Sequence, residues 1–167
     1  MPTNLQDFTT IVRDVTQSAP AAVEQQIVEE VAEAGYTAAV RLSPKDTGLL
    51  RGNYRIGVGS AAAGGAGGGR GGVIQRYSDG EKGVLGSADV AQIEEELAKL
   101  DGRPAFSDVV ITNGVPYLDF VNSGTATQEA QAFVEAAQLE MLAAAEAIEA
   151  ELSVADLDAL SRRRVGR

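Results

Sequence analysis

The chain has no cysteine, no histidine and no tryptophan. Without cysteine there is no thiolate nucleophile and no disulfide, so the fold stands on packing and not on covalent staples. Without histidine there is no imidazole base, no Ser-His or Cys-His pair and no zinc site of the Cys/His kind. Together these absences remove most of the usual catalytic repertoire, and the expectation is a protein that is not an enzyme. No apolar run approaches the ~20 residues that a membrane span needs. The start, Met1-Pro2-Thr3-Asn4, lacks the basic and apolar regions of a signal peptide. The expectation is a soluble protein made in the cytoplasm, with no membrane partner.

What the chain does contain is alanine, glycine and acid. Its 167 residues suit one domain with a proper core. Hydrophobic residues reach 44%, but many are alanine and aromatics are only 5%. Such a core is built from helices packed closely through small side chains, and a subunit of that kind finishes its burial against neighbours, which favours an oligomer. The formal charge is −10. Arg162, Arg163, Arg164 and Arg167 crowd into the C-terminal end, so residues 1–161 are more acidic than the whole. A body this acidic repels phosphate, which argues against wrapping nucleic acid and suits a surface that DNA slides past. The terminal arginines are candidates for contact with DNA or with an acidic neighbour.

Periodicity predicts the elements. Leu5, Phe8, Ile11, Val12 and Val15 predict a short amphipathic helix over 4–16. Ser18 is positioned to cap a second, in which Val23, Ile27, Val31, Ala34, Ala38 and Leu42 share one face. At 1.5 Å per residue that helix runs roughly 30–35 Å. Ser43-Pro44 stops it, and Arg51 to Val58 alternates as a strand with Tyr54, Ile56 and Val58 on one side. Residues 59–72 are a glycine-rich loop, with Gly64, Gly68, Arg70 and Gly72 as candidates for ordering on a partner. A second strand is predicted over 73–77 and a helix over 88–100 capped by Ser87. In that helix Val90, Ile93, Leu97 and Leu100 face inward, while Glu94, Glu95 and Glu96 mostly face water. A third strand is predicted over 106–112, with an Asn113-Gly114 turn before Pro116–Val121. Thr125 and Gln128 have capping-box spacing for a helix to about Leu152, with Phe133, Ala137, Met141, Ala144, Ile148 and Leu152 on one face. Ser153 and Asp156 predict a last short helix. The class is α+β: a small antiparallel sheet packed with two long helices plus shorter helices. One domain covers 1–161, followed by a basic tail over 162–167.

Sites of known type fit poorly. No Gly-Lys-Ser/Thr follows the glycine-rich loop, and the loop opens no amphipathic helix, so a nucleotide cradle is not indicated. Acid pairs such as Glu29-Glu30 and Asp79/Glu81 sit on helix faces or in a turn, where a solvated surface is the simpler reading than glycosidase chemistry. No calcium-loop spacing occurs. No cofactor or metal is expected.

Two segments carry a resemblance. Ser43-Pro44-Lys45-Asp46-Thr47-Gly48-Leu49-Leu50-Arg51-Gly52-Asn53-Tyr54-Arg55 resembles the long helix, Pro-x-Asp-Thr-Gly turn and arginine-led strand of the neck and tail-completion proteins of long-tailed bacteriophages, the minor tail protein Z type included. Asn113-Gly114-Val115-Pro116-Tyr117-Leu118-Asp119-Phe120-Val121-Asn122-Ser123-Gly124-Thr125 is similar to that family's aromatic approach to its C-terminal helix. Asn122-Ser123 departs from the pattern, standing where an acidic residue is common. Residues 59–72 and 88–100 look like insertions.

The resemblance implies a virion protein: a homo-oligomeric ring, expected as a hexamer, between the head-closing (stopper) ring and the tail tube protein. Genomic double-stranded DNA would pass non-specifically through its lumen. The alternatives are another neck ring, adaptor or head-closing, and, of a different class, a small acidic carboxylate-dependent hydrolase. Read physically, the turn is a structural corner. Asp46 and Thr47 bond backbone amides, Gly48 takes positive φ, and Arg51 leaves on the exposed side.

Overall fold

The computed structural model describes residues 21–44, 48–59 and 76–165, with side chains described only between 24 and 151. The elements run α1 (Ala21–Leu42), a 3-10 turn (Arg51–Asn53), β1 (Tyr54–Val58), α2 (Ser87–Leu97), a second 3-10 turn (Ala98–Leu100), β2 (Val109–Asn113), α3 (Leu118–Ser123) and α4 (Phe133–Val165). This is the expected α+β fold, a small antiparallel sheet packed with helices. The helix predicted over 4–16 lies outside the described residues.

The two long helices pack on each other. Ile27 and Val31 of α1 cluster with Ala145 and Ile148 of α4, while Arg41, a helix length away, meets Glu140. Rising numbers in α1 therefore meet falling numbers in α4, so the pair is antiparallel. Gly35 makes room for Met141, since a Cβ there would lie 2.2 Å from Met141 Cγ. Each aliphatic side chain buried in this seam contributes about 1.5–3 kcal/mol. Beyond the seam α1 is buried on more than one side. Tyr36, Ala38, Ala39 and Val40 join Leu50, Tyr54, Ile56, Ile93, Leu100, Val115, Phe133 and Ala137 in the main core. One apolar stripe therefore describes only the half of α1 that faces α4.

β1 and β2 pair antiparallel, with Tyr54 opposite Asn113 and Val58 opposite Val109. Among the described residues the sheet has these two strands. Several boundaries differ from expectation. Arg51–Asn53 form a 3-10 turn and not the start of a strand. Arg76 and Tyr77, predicted to end a strand, are irregular. β2 begins at Val109, three residues after the predicted Phe106, because Arg103 and Ser107 hold residues 103–107 in a turn closed on the Pro104 carbonyl. After Asn113 the chain does not return as a strand but forms α3. The Asn113 side chain explains this: its Oδ1 accepts from Val115 N–H at 3.0 Å, an Asx turn that bends the chain away from the sheet.

α4 begins at Phe133, not after Thr125. Thr125 and Gln128 instead bond each other's backbones in a tight turn. The last helix does not break at Ser153 either, since α4 runs on as one helix to Val165. A single Ser inside a long helix competes with it only weakly.

Candidate functional site

The α1 C-terminus is where the corner of the resemblance takes shape. A helix ends with four backbone carbonyls that have no partner inside it. Here three residues from outside α1 satisfy those of Ala39, Val40 and Arg41. Ser43 bonds Ala39 O through both N–H and hydroxyl. Gly83 N–H donates to Arg41 O at 2.9 Å. Arg51 supplies the rest: its Nε donates to Val40 O and its Nη2 to Arg41 O, both at 2.6 Å.

This overturns the expectation that Arg51 leaves on the exposed side, for its side chain is fully buried. The alternation that placed it outward applies to a strand, and the 3-10 turn rotates it inward. Once inside, a guanidinium needs a partner for each of its five N–H groups. The remaining ones go to the Val84 carbonyl at 3.3 Å and, at 3.4 Å, to Ser78 Oγ and the Asp89 carboxylate. Burial pulls the Arg51 pKa below its usual value, and Asp89 opposes that shift. A cation against the negative end of α1 gains further from the helix dipole.

The approach to Arg51 is built from glycine. Gly48 has φ +73, as expected, and its carbonyl accepts from Gly52 N–H and Ser78 N–H. A Cβ on Gly52 would lie 2.0 Å from the Arg76 carbonyl oxygen, so residues 76–78 pass too close for any side chain there. Asp46 and Thr47 lie outside the described residues.

Around this corner runs a buried polar chain that the sequence did not announce. The Tyr36 hydroxyl donates to Tyr54 O at 3.0 Å, and Gln92 Nε2 donates to the Tyr36 hydroxyl at 2.9 Å and to Arg51 O at 3.1 Å. Tyr54 OH shares a bond with Ser43 Oγ at 2.9 Å. Burial pushes the Tyr54 hydroxyl up to about 12 and raises Tyr36 further. Glu96, expected to face water, is also buried. Its carboxylate accepts from Ile56 N–H at 2.8 Å and meets Lys99 and Arg55. A run of three glutamates on a helix cannot all face one way at 100° per residue, and Glu96 is the one turned toward β1. Glu24 and Arg103 form a second closed pair at 3.1 Å, tying the start of α1 to the turn after α2.

The start of α2 differs in detail from the sequence reading. Gly86, not Ser87, is the capping position, and the Asp89 carboxylate accepts its N–H at 3.0 Å. Asp79 reaches in from the preceding turn to take the Ser87 hydroxyl and Ala88 N–H. The Ser87 hydroxyl holds the Asp79 carboxyl below the usual carboxylate range. On the outer face of α2, Arg76 Nη2 donates to both carboxylate oxygens of Glu95 and lowers its pKa.

Asn122 does for α4 what Arg51 does for α1. Its carbonyl accepts from Gln131 and Ala132 N–H, its Oδ1 accepts from Val134 N–H at 2.9 Å, and its Nδ2 donates to Glu135. Ala132 is held at φ +48 by this clasp, a conformation that an L-residue adopts only under constraint. A cap is thus delivered from ten residues upstream, which short-range capping patterns do not detect.

Gly59 is the one residue of the predicted glycine-rich loop among the described residues, and Gly64, Gly68, Arg70 and Gly72 lie outside them. Arg162, Arg163 and Arg164 fall on the last turns of α4, while Arg167 lies outside. Among the described residues no group of three or more acids is placed to hold a metal ion, and no helix is long and apolar enough to cross a membrane. Tyr77, Val84, Val90, Phe106, Phe120 and Leu139 are exposed apolar side chains. Comparison with family models, curated proteins and solved structures finds no match for this chain.

Proposed function

We propose that this chain is a structural subunit of the neck of a long-tailed phage, a ring-forming tail-completion protein. In this reading, six copies cap the tail tube and join it to the head-closing ring, and double-stranded DNA passes through the lumen. One spatial relationship supports the reading most. The two segments that carry the resemblance are far apart in sequence but meet in the sheet: Tyr54 pairs with Asn113, and Asn113 Nδ2 donates to Leu50 O at 2.7 Å. Each segment also clasps one end of a long helix, Arg51 at α1 and Asn122 at α4. The shared signature is therefore a frame that sets how the two long helices stand. In a protein that works by assembly, that frame is the working part, because neighbours bind to the helix surfaces it presents.

Charge and surface agree with this role. The acidic body repels phosphate, which lets DNA pass with little adhesion. Phe106, Phe120 and Leu139 offer apolar contacts to adjacent subunits. Arg162, Arg163, Arg164 and Arg167 concentrate cations beyond the end of the core, available to an acidic neighbour or to DNA.

Electron microscopy of the purified full-length chain tests the proposal, together with antibody labelling of virions. Six-fold rings with an open centre, and label at the head-tail junction, are expected. A ring of twelve-fold symmetry would assign the chain to another neck ring. A monomer absent from virions would remove the reading.

A further inference from the structure

A two-stranded sheet has two outer edges, and here they differ. Gly59 N–H donates to Asp108 O at 2.7 Å, so 59 and 108 form a hydrogen-bonded pair in the register of the sheet. Such pairs alternate in an antiparallel ladder. The bonded pairs are therefore 57 with 110 and 55 with 112, and the backbone groups of Tyr54, Ile56 and Val58 point away from β2. Side chains close that outer edge of β1. Tyr54 O accepts from the Tyr36 hydroxyl and from Arg55, and Ile56 N–H donates to the buried Glu96 carboxylate.

By the same alternation, the N–H and C=O groups of Val109, Ile111 and Asn113 point away from β1. Among the described residues none of these backbone groups meets a partner. An open edge of this kind is a template for another strand, and proteins usually guard it with lysine, proline or a bulge. β2, Val109-Val110-Ile111-Thr112-Asn113, contains neither a charged residue nor a proline.

We propose that the β2 edge pairs with β2 of a second copy of this chain, antiparallel across a two-fold axis with Ile111 opposite Ile111. Charge permits this occupant at this edge and selects the direction. The chain carries −10, so two copies repel over most of their surface, and a neutral strand is where they approach without facing carboxylates. In the antiparallel register Asp108, the acid flanking β2, falls opposite Gly114. A parallel register would set Asp108 beside Asp108. Closure follows from the other edge. Because Tyr36 and Glu96 occupy the β1 side, pairing stops at two copies and does not run on as a fibre. The contact joins copies two by two and is separate from any contact that closes a ring, so it stands or falls independently of the function proposed above.

The absence of cysteine makes a direct test clean. In the proposed register Val110 faces Thr112 of the second copy in a non-hydrogen-bonded pair, where Cα atoms are about 4.5 Å apart, close enough for a disulfide. A mixture of full-length V110C and T112C should cross-link under mild oxidation at least tenfold more than either variant alone. Hydrogen exchange on the unmodified chain supplies a second measurement. The amides of Val109, Ile111 and Asn113 should gain protection as concentration rises through the transition in which the sedimenting mass doubles. The V110K/T112K double variant, which sets lysine against lysine, should sediment at half the mass of the paired unmodified chain at those concentrations. The proposal is overturned by any of three results: no doubling of the sedimenting mass at any concentration with fast exchange at the three amides, cross-linking equal in mixed and single variants, or a doubling that survives the double lysine.

Discussion

The Arg51 guanidinium lies 3.4 Å from the Asp89 carboxylate with both side chains closed to water, 38 positions apart in the chain. Around that pair meet the end of α1, the turn before β1, the 78–84 segment and the start of α2. A buried pair of this kind adds little net stability over an apolar replacement of the same shape, yet breaking it leaves one charge uncompensated. Its value here lies in the carbonyls: Val40 and Val84 take their donor from Arg51, and Arg41 takes a second one beside Gly83 N–H.

Arg51→Met should therefore destabilise the fold by about 3–5 kcal/mol, since it leaves Asp89 without its cation and the Val40 and Val84 carbonyls without a donor. Arg51→Lys should recover only part of this, because an ammonium cannot reach the carbonyls of Val40, Arg41 and Val84 at once. Urea unfolding followed by far-UV circular dichroism measures both. An Arg51→Met midpoint equal to that of the unmodified chain would show that the corner is not a keystone.

Alkaline pH should unfold the protein through its buried phenols. Tyr54 titrates near 12 in the folded state against an ordinary value of 10.0, and Tyr36 is raised as well. A raised phenol pKa means that the folded state holds the proton more tightly. The stabilisation is complete below pH 10 and is lost as pH rises from there through about 12. Thermal melts across that range should show a falling midpoint, and Tyr54→Phe should flatten the fall. A midpoint independent of pH in this window would contradict the burial of Tyr54.

Asn122→Ala should cost about 1–2 kcal/mol and fray the first turn of α4, by removing the acceptor for Val134 N–H and the donor to Glu135. Asn122→Asp keeps the acceptor but sets a carboxylate against Glu135. Its penalty should shrink with added salt, which screens like charges, while that of Asn122→Ala should not. Hydrogen exchange at Val134 distinguishes a lost cap from a general loss of stability.

The elements that were legible in the sequence are those whose signal is periodic. The stripe from Ile27 through Val31 and Ala38 marked α1, and Phe133, Ala137 and Ile148 marked α4, because an amphipathic helix writes its buried face at intervals of three and four. The α+β class followed from their order with the alternation at Tyr54, Ile56 and Val58. Gly48 was legible as a positive-φ turn, since a polar Asp-Thr-Gly stretch after a helix stop calls for one.

Where residues act at a distance, the sequence is silent. Arg51, Glu96, Glu24 and Arg103 look like surface residues to any periodic reading, because charge predicts exposure unless a partner is known. Their partners lie on other elements: Asp89 for Arg51, Ile56 N–H for Glu96, and each other for Glu24 and Arg103. The start of α4 was misplaced for the same reason, since its cap comes from Asn122 and not from the adjacent Thr125.

By itself, then, the sequence determined the two long helices, the glycine corner and the acidic, cysteine-free character of the chain, all of which depend on local pattern or composition. Only the tertiary structure decided which charges are buried, where α4 begins and which sheet edge stays open among the described residues. Those outcomes depend on whether a polar group finds a partner across space, and burial without one costs more than a local preference can supply.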